Sequence, residues 1–230
     1  MQTIIISGTT KGIGLGLANY YLNKGYKVAG LARGESKISH EHYIHIACDI
    51  AIEEQVIAAI KQVKNNCGSI DILINNAALA NMNSLISTPF SAFEQVYKVN
   101  AGGTFLLMRE AAKQMIRQQN GRIINFTSIS KPLNLETQSS YAASKAAVES
   151  LTKIAARELA SFNITVNAIG PTPIDTDLIK GIPEEWMQNV LNMQAIKRKG
   201  TMDDIYNLCD FFISERSSFV TGQVVYLGGV

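Results

Sequence analysis

Thr3-Ile4-Ile5-Ile6-Ser7-Gly8-Thr9-Thr10-Lys11-Gly12-Ile13-Gly14 is the stretch from which the fold is read. Its β-branched run is too short for a helix and does not alternate apolar with polar, as expected of a central strand buried on both faces of a parallel sheet. Leu15 to Asn23 then repeats apolar residues at helical spacing. The glycines therefore occupy a strand-to-helix turn. Lacking Cβ atoms, Gly8 and Gly12 let the backbone approach a pyrophosphate, and Gly14 allows close packing. The helix N-terminus offers free N–H groups and a positive dipole end. Thr10, Lys11 and Ile13 share this turn and join the glycines as candidate cofactor-binding residues. The same pattern also suits a plain tight turn, so the rest of the chain must decide.

Further along, Lys27 to Leu31 reads as a second strand ending in Ala32-Arg33, where a Rossmann-type domain discriminates its cofactor. Ala32 offers no carboxylate for a ribose 2′-OH, whereas Arg33 and Lys11 can both face a 2′-phosphate. That favours NADP(H) over NAD(H); the alternative is two solvated cations. Tyr43 to Ala47 reads as a third strand closed by Cys48-Asp49-Ile50. Asp49 suits either an adenine amino group or the N-cap of a helix from Glu53 to Asn65. Asp71-Ile72-Leu73-Ile74 is a fourth strand, followed by two amides and two small residues, Asn75-Asn76-Ala77-Ala78, a turn able to hold a cofactor close. One long helical pattern runs from Ser91 to Gln118 and contains Asn100, a poor helix residue unless its side chain has a task.

Arg122 to Ser128 is a fifth strand that delivers Ser128 at its end, and a helix begins near Tyr141. Tyr141 and Lys145 are four apart, so on a helix both leave the same face one turn apart. A free phenol titrates near pH ~10, too high for efficient proton transfer at neutral pH. An adjacent ammonium favours phenolate and is expected to lower that value, making Tyr141 a general acid or base. Taken alone, such a pair more often decorates a solvated helix face. Ile164 to Ile169 is a sixth strand, broken by Gly170-Pro171-Thr172-Pro173. From Ile174 to Lys199 the chain reads as irregular or weakly helical, with Trp186, Met187, Leu191 and Met193 either folding over a pocket or completing the core. A helix from Asp203 to Ile213 and a seventh strand from Val224 to Leu227 follow.

A chain of 230 residues with net charge +2 and 47% hydrophobic residues is expected to form one globular domain over 1–230, not a nucleic-acid binder. Cys48, Cys67 and Cys209 are widely spaced and odd in number, which argues against a disulfide framework or structural zinc and fits a reducing cytoplasm. No secretory leader or apolar stretch of ~18 residues is apparent, so no membrane association is expected.

Gly8-x-x-x-Gly12-x-Gly14, Asn75-Asn76-Ala77-Ala78, Asn100, Ser128, Tyr141-x-x-x-Lys145 and the Pro171-to-Thr176 stretch together resemble the short-chain dehydrogenase/reductase family, in its order and spacing, over the whole chain. Asn120 to Asn125 and Phe219 to Val225 are similar to its 3-oxoacyl-[acyl-carrier-protein] reductase-like members. The resemblance implies an α/β, doubly wound Rossmann fold: a seven-stranded parallel sheet with helices on both faces. It implies a tetrad: Tyr141 exchanging a proton with the substrate oxygen, Ser128 polarising the carbonyl, Lys145 holding the nicotinamide ribose and lowering the Tyr141 pKa, and Asn100 positioning a water. Cofactor contacts are implied at Ile50, Asn76, Ala77, Tyr141, Lys145, Pro171 and Ile174, with Thr176 on the carboxamide.

The implied reaction is reduction of a ketone, either a 3-oxoacyl thioester on an acyl carrier or a free polar or secondary-metabolite ketone, or oxidation of the corresponding alcohol. A homodimer or homotetramer is implied. Ala78 and Thr172 stand where the family usually has glycine, and Lys131 to Glu136 replaces a loop usually rich in glycine. A non-catalytic nucleotide-binding protein is the rival from another class. An extended-type epimerase needs more chain than this.

Overall fold

The computed structural model describes residues 1–175, 181 and 183–230. Seven strands form one parallel sheet in the order β3-β2-β1-β4-β5-β6-β7. They are β1 (Thr3–Ser7), β2 (Lys27–Ala32), β3 (Tyr43–Ala47), β4 (Ile72–Asn75), β5 (Gly121–Phe126), β6 (Ile164–Gly170) and β7 (Val224–Tyr226). The doubly wound architecture expected from the sequence is the one observed. β1 lies inside the sheet, hydrogen-bonded to β2 and β4, although β4 and not β1 occupies the middle place.

The isoleucine run explains itself in this setting. Ile5 points into a core under α2 (Glu53–Cys67), α4 (Gly103–Gln118) and α6 (Ser139–Leu159), and Ile4 and Ile6 point into the opposite core under α1 (Gly12–Asn23) and α8 (Met202–Ile213). All three are fully buried. Because both faces are covered, every position must be apolar, which removes the alternation. Helices on both faces bury this surface at roughly 25 cal/mol per Å².

Two shorter helices complete the framework on the site side: α5 (Ser130–Leu133) after β5, and α7 (Glu184–Asn192) within the region expected to be irregular or weakly helical. Glu184 and Glu185 lie in the first turn of α7, where acidic residues complement the helix dipole.

The single helix expected from Ser91 to Gln118 is divided: α3 (Phe90–Tyr97), a π-helical turn at Lys98–Gly102, and α4. Asn100 sits within the wide turn, and its amide is the reason a poor helix former is placed there. Its Oδ1 accepts from the Leu79 N–H at 2.8 Å, and its Nδ2 donates to the Leu79 carbonyl at 2.8 Å and to Ser144 Oγ at 2.9 Å. π-turns of this kind are local bulges that re-aim side chains near sites.

The order in which strands are added reverses between β1 and β4, and that junction opens a crevice at the carboxyl ends of the strands. It is closed by side chains from both strands. Ser7 Oγ accepts from the N–H groups of Asn76 and Ala77, both at 3.0 Å, and Asn76 Nδ2 donates to the Ser7 carbonyl at 2.9 Å. At the start of α1, a Cβ on Gly14 would lie 2.2 Å from the Gly8 carbonyl oxygen, so glycine there is a packing requirement.

Candidate active site

A cavity of about 680 Å³ runs along the crevice. One end is built by the glycine turn and the end of β2: Gly8, Thr10, Lys11, Gly12, Ile13 and Arg33 line it. Lys11, at the N-cap of α1, makes no side-chain capping bond, and no acidic residue lies in the first turn. The free N–H groups and two exposed cations thus present positive potential to the cavity. Asp49 and Ile50 form the adjoining wall. Asp49 is not an N-cap: Ile52 holds that place before α2, while Asp49 Oδ1 accepts from the Ala51 N–H at 3.0 Å.

Midway, Asn76, Ala77, Pro171 and Ile174 line the cavity together with Ser128, Tyr141 and Lys145. β5 ends at Phe126, two residues before Ser128, whose Oγ accepts from the Ser130 N–H at 3.2 Å and the Ser130 hydroxyl at 2.8 Å. Tyr141 and Lys145 share one face of α6, with Lys145 Nζ 5.6 Å from the Tyr141 ring centroid. Lys145 is buried and donates to the Phe126 carbonyl at 2.7 Å, which fixes it between the strand and the phenol.

The electrostatics differ from the sequence expectation. Burial pushes the Lys145 ammonium down to about 8. Close packing of protein atoms pushes the Tyr141 phenol up, with the Ser128 hydroxyl working in the opposite direction. The protein alone therefore holds Tyr141 as a neutral phenol instead of priming it as phenolate, because desolvation disfavours charge on both partners. A neutral phenol is the form that can donate a proton.

The far end is mostly apolar, walled by Leu79, Met82, Leu135, Trp186, Met187 and Val190 with the amides of Asn81 and Gln138 among them. Of the four residues expected either over a pocket or in the core, Trp186 and Met187 line the cavity, Leu191 is buried, and Met193 is exposed. The Leu79-to-Met82 and Leu135 walls had no signal in the sequence, since they are assembled from loops distant along the chain. Asn100 and Gly14 stand behind the wall and do not line it: Asn100 fixes Leu79, and Gly14 fixes the turn. Thr176 lies outside the described residues.

Lys145 is not the only buried charge on α6. Glu149, one further helical repeat along α6 from Lys145, accepts from Thr127 Oγ1 at 2.8 Å and from the Tyr226 hydroxyl, and pairs with Lys131 Nζ at 3.1 Å. It joins the end of β5, β7 and α5 to α6.

The family model described as enoyl-(acyl carrier protein) reductase matches residues 8–229. The chain belongs to the short-chain dehydrogenase/reductase family. Like that family's members it is an oxidoreductase of CH–OH and C=O groups.

Among curated members, the 3-oxoacyl-[acyl-carrier-protein] reductase FabG of Staphylococcus epidermidis is 33% identical over 238 residues, covering 99% of this chain and 98% of that protein. Among solved structures, a putative gluconate dehydrogenase from Agrobacterium tumefaciens superposes with a TM-score of 0.92 at 26% identity, covering 99% of this chain and 94% of that one. ElxO with NADP bound gives 0.91 at 28% identity, covering 98% and 96%. Among the described residues, no group of three His, Cys, Asp or Glu is placed to hold a metal, and no helix is long and apolar enough to cross a membrane.

Proposed function

We propose that this short-chain dehydrogenase/reductase uses NADP(H) to interconvert a ketone and a secondary alcohol, with Tyr141 as the proton donor in reduction. The observation that carries this reading is the convergence of Ser128, Tyr141 and Lys145 on a cavity whose opposite pole holds Lys11, Arg33 and the α1 N-terminus. The residues fit such a cofactor: free helix N–H groups suit a pyrophosphate, and Arg33 with Lys11 suits a 2′-phosphate. ElxO binds NADP on the same fold, which supports the choice.

When bound, the nicotinamide supplies the hydride in reduction. This chain's residues do the rest. Ser128 Oγ donates to the carbonyl oxygen and orients it toward Tyr141. The neutral Tyr141 phenol then gives its proton to that oxygen as negative charge develops there, so the C–O group leaves as an alcohol. Lys145, fixed by the Phe126 carbonyl, sets a positive charge beside the phenolate that remains and stabilises it. In alcohol oxidation the same proton returns to Tyr141.

The apolar far wall favours a ketone borne on a hydrocarbon body, and a 3-oxoacyl thioester on an acyl carrier, the substrate class in FabG's name, meets that description. The test is NADPH consumption followed by absorbance across a panel of 3-oxoacyl thioesters, free apolar ketones and polar ketones. Turnover of the first two groups above the third is expected, and NADPH oxidation with no member of the panel would remove the reading.

A further inference from the structure

Tyr43, on the edge strand β3, belongs to none of the sites described above, yet its hydroxyl is the meeting point of three other side chains. Ser36 Oγ donates to it at 3.2 Å, Thr9 Oγ1 lies 3.2 Å away, and His45 Nδ1 lies 3.4 Å away. The other ring nitrogen of His45 is 2.8 Å from the Gly34 carbonyl. A carbonyl can only accept, so His45 Nε2 carries the proton and Nδ1 accepts from Tyr43. The Tyr43 hydroxyl therefore donates to His45 and accepts from Ser36 and Thr9, which uses its full capacity.

The two segments tied together here are the ones that build the positive end of the cavity. Thr9 is fully buried between Gly8 and Thr10, both of which line the cavity. Gly34 and Ser36 belong to the turn that presents Arg33. Ser36 Oγ also accepts from the Ile38 N–H at 3.1 Å, so one hydroxyl shapes the turn and anchors it. The sheet makes room for this junction. Gly30 of β2 pairs in register with His45, and a Cβ on Gly30 would lie 2.2 Å from the Tyr43 hydroxyl and 2.5 Å from Thr9 Oγ1. No side chain at position 30 is compatible with the cluster.

We infer that Tyr43 is a positioning residue for cofactor selection: through Thr9, Ser36 and His45 it holds the glycine turn and the Arg33 turn at one separation, and so sets affinity for a 2′-phosphate. The inference rests on the NADP(H) reading above. Tyr43 does not line the cavity and touches no ligand itself; its effect passes through Arg33 and the turn backbone.

The probes are 2′,5′-ADP and 5′-AMP, which differ only by the 2′-phosphate, bound to the intact protein and followed by calorimetry. Tyr43→Phe keeps the ring and its packing and removes only the hydroxyl. Loss of the junction is expected to weaken 2′,5′-ADP by roughly 5- to 10-fold, the size of one or two intramolecular hydrogen bonds, with 5′-AMP unchanged. Ser36→Ala, which cuts only the Arg33 side, is expected to shift selectivity in the same direction. Should both nucleotides weaken equally, or neither, Tyr43 is merely part of the β3 packing and the inference is overturned. Wild-type protein that does not distinguish the two probes overturns the NADP(H) reading itself, and with it this inference.

Discussion

Lys145 is the residue whose placement costs the fold most visibly. Its ammonium is held at about 8 against an ordinary 10.5, so between those values the folded chain binds fewer protons than the unfolded one. Stability from this group therefore rises with pH: the burial penalty is complete below about 8 and is gone above 10.5. At 1.36 kcal/mol per unit, and allowing for the hydrogen bond to Phe126, Lys145→Met is expected to stabilise the protein at pH 7 by on the order of 2 kcal/mol. The gap to wild type should narrow between pH 8 and pH 10, which denaturant unfolding of both proteins at several pH values measures. A pH-independent gap would mean the ammonium is not desolvated. Position 145 was legible in the sequence from its spacing to Tyr141, but the sign of its effect was not. Spacing reports that a phenol and an ammonium are neighbours, whereas burial, which outweighs their attraction here, depends on strands far away in the chain.

α6 is the element that gathers the chemistry, because Tyr141, Lys145 and Glu149 recur along one face of it. Glu149 converts that helix into a clamp, holding Thr127 next to Ser128, Tyr226 on β7 and Lys131 on α5. Glu149→Ala leaves two hydroxyls and an ammonium without their acceptor and is expected to cost roughly 3 kcal/mol, read from thermal or denaturant unfolding. Glu149→Gln keeps an acceptor and should cost less. Equal losses for both would show that the carboxylate charge, not its geometry, holds the junction. The strands and major helices were legible because Ile4, Ile5 and Ile6 bury on alternate faces and α1 keeps its apolar spacing. The π-turn and the Glu149 junction were not, because they rest on contacts between residues 18 to 77 positions apart. Asn100 shows the intermediate case: its oddity in a helix was visible, its partner Leu79 was not.

At the scale of the molecule, the sheet places a cationic pole and the Tyr141 phenol at two points of one cavity, and its outer helices remain partly apolar. Phe105 on α4 and Ile154 on α6 are 44% and 51% exposed, a surface that self-association would cover. A dimer or tetramer is therefore expected by light scattering at micromolar concentration, and a monomer would count against it. All of this chemistry depends on Tyr141, midway along the cavity, transferring the proton. Single-turnover hydride transfer from NADPH to an accepted ketone, measured beside NADPH binding in wild type and Tyr141→Phe, tests it most directly. The phenylalanine keeps the ring and removes the proton, so the rate should fall by roughly 10²–10⁴-fold while NADPH affinity stays nearly unchanged. A Tyr141→Phe protein that keeps most of its rate would contradict the account.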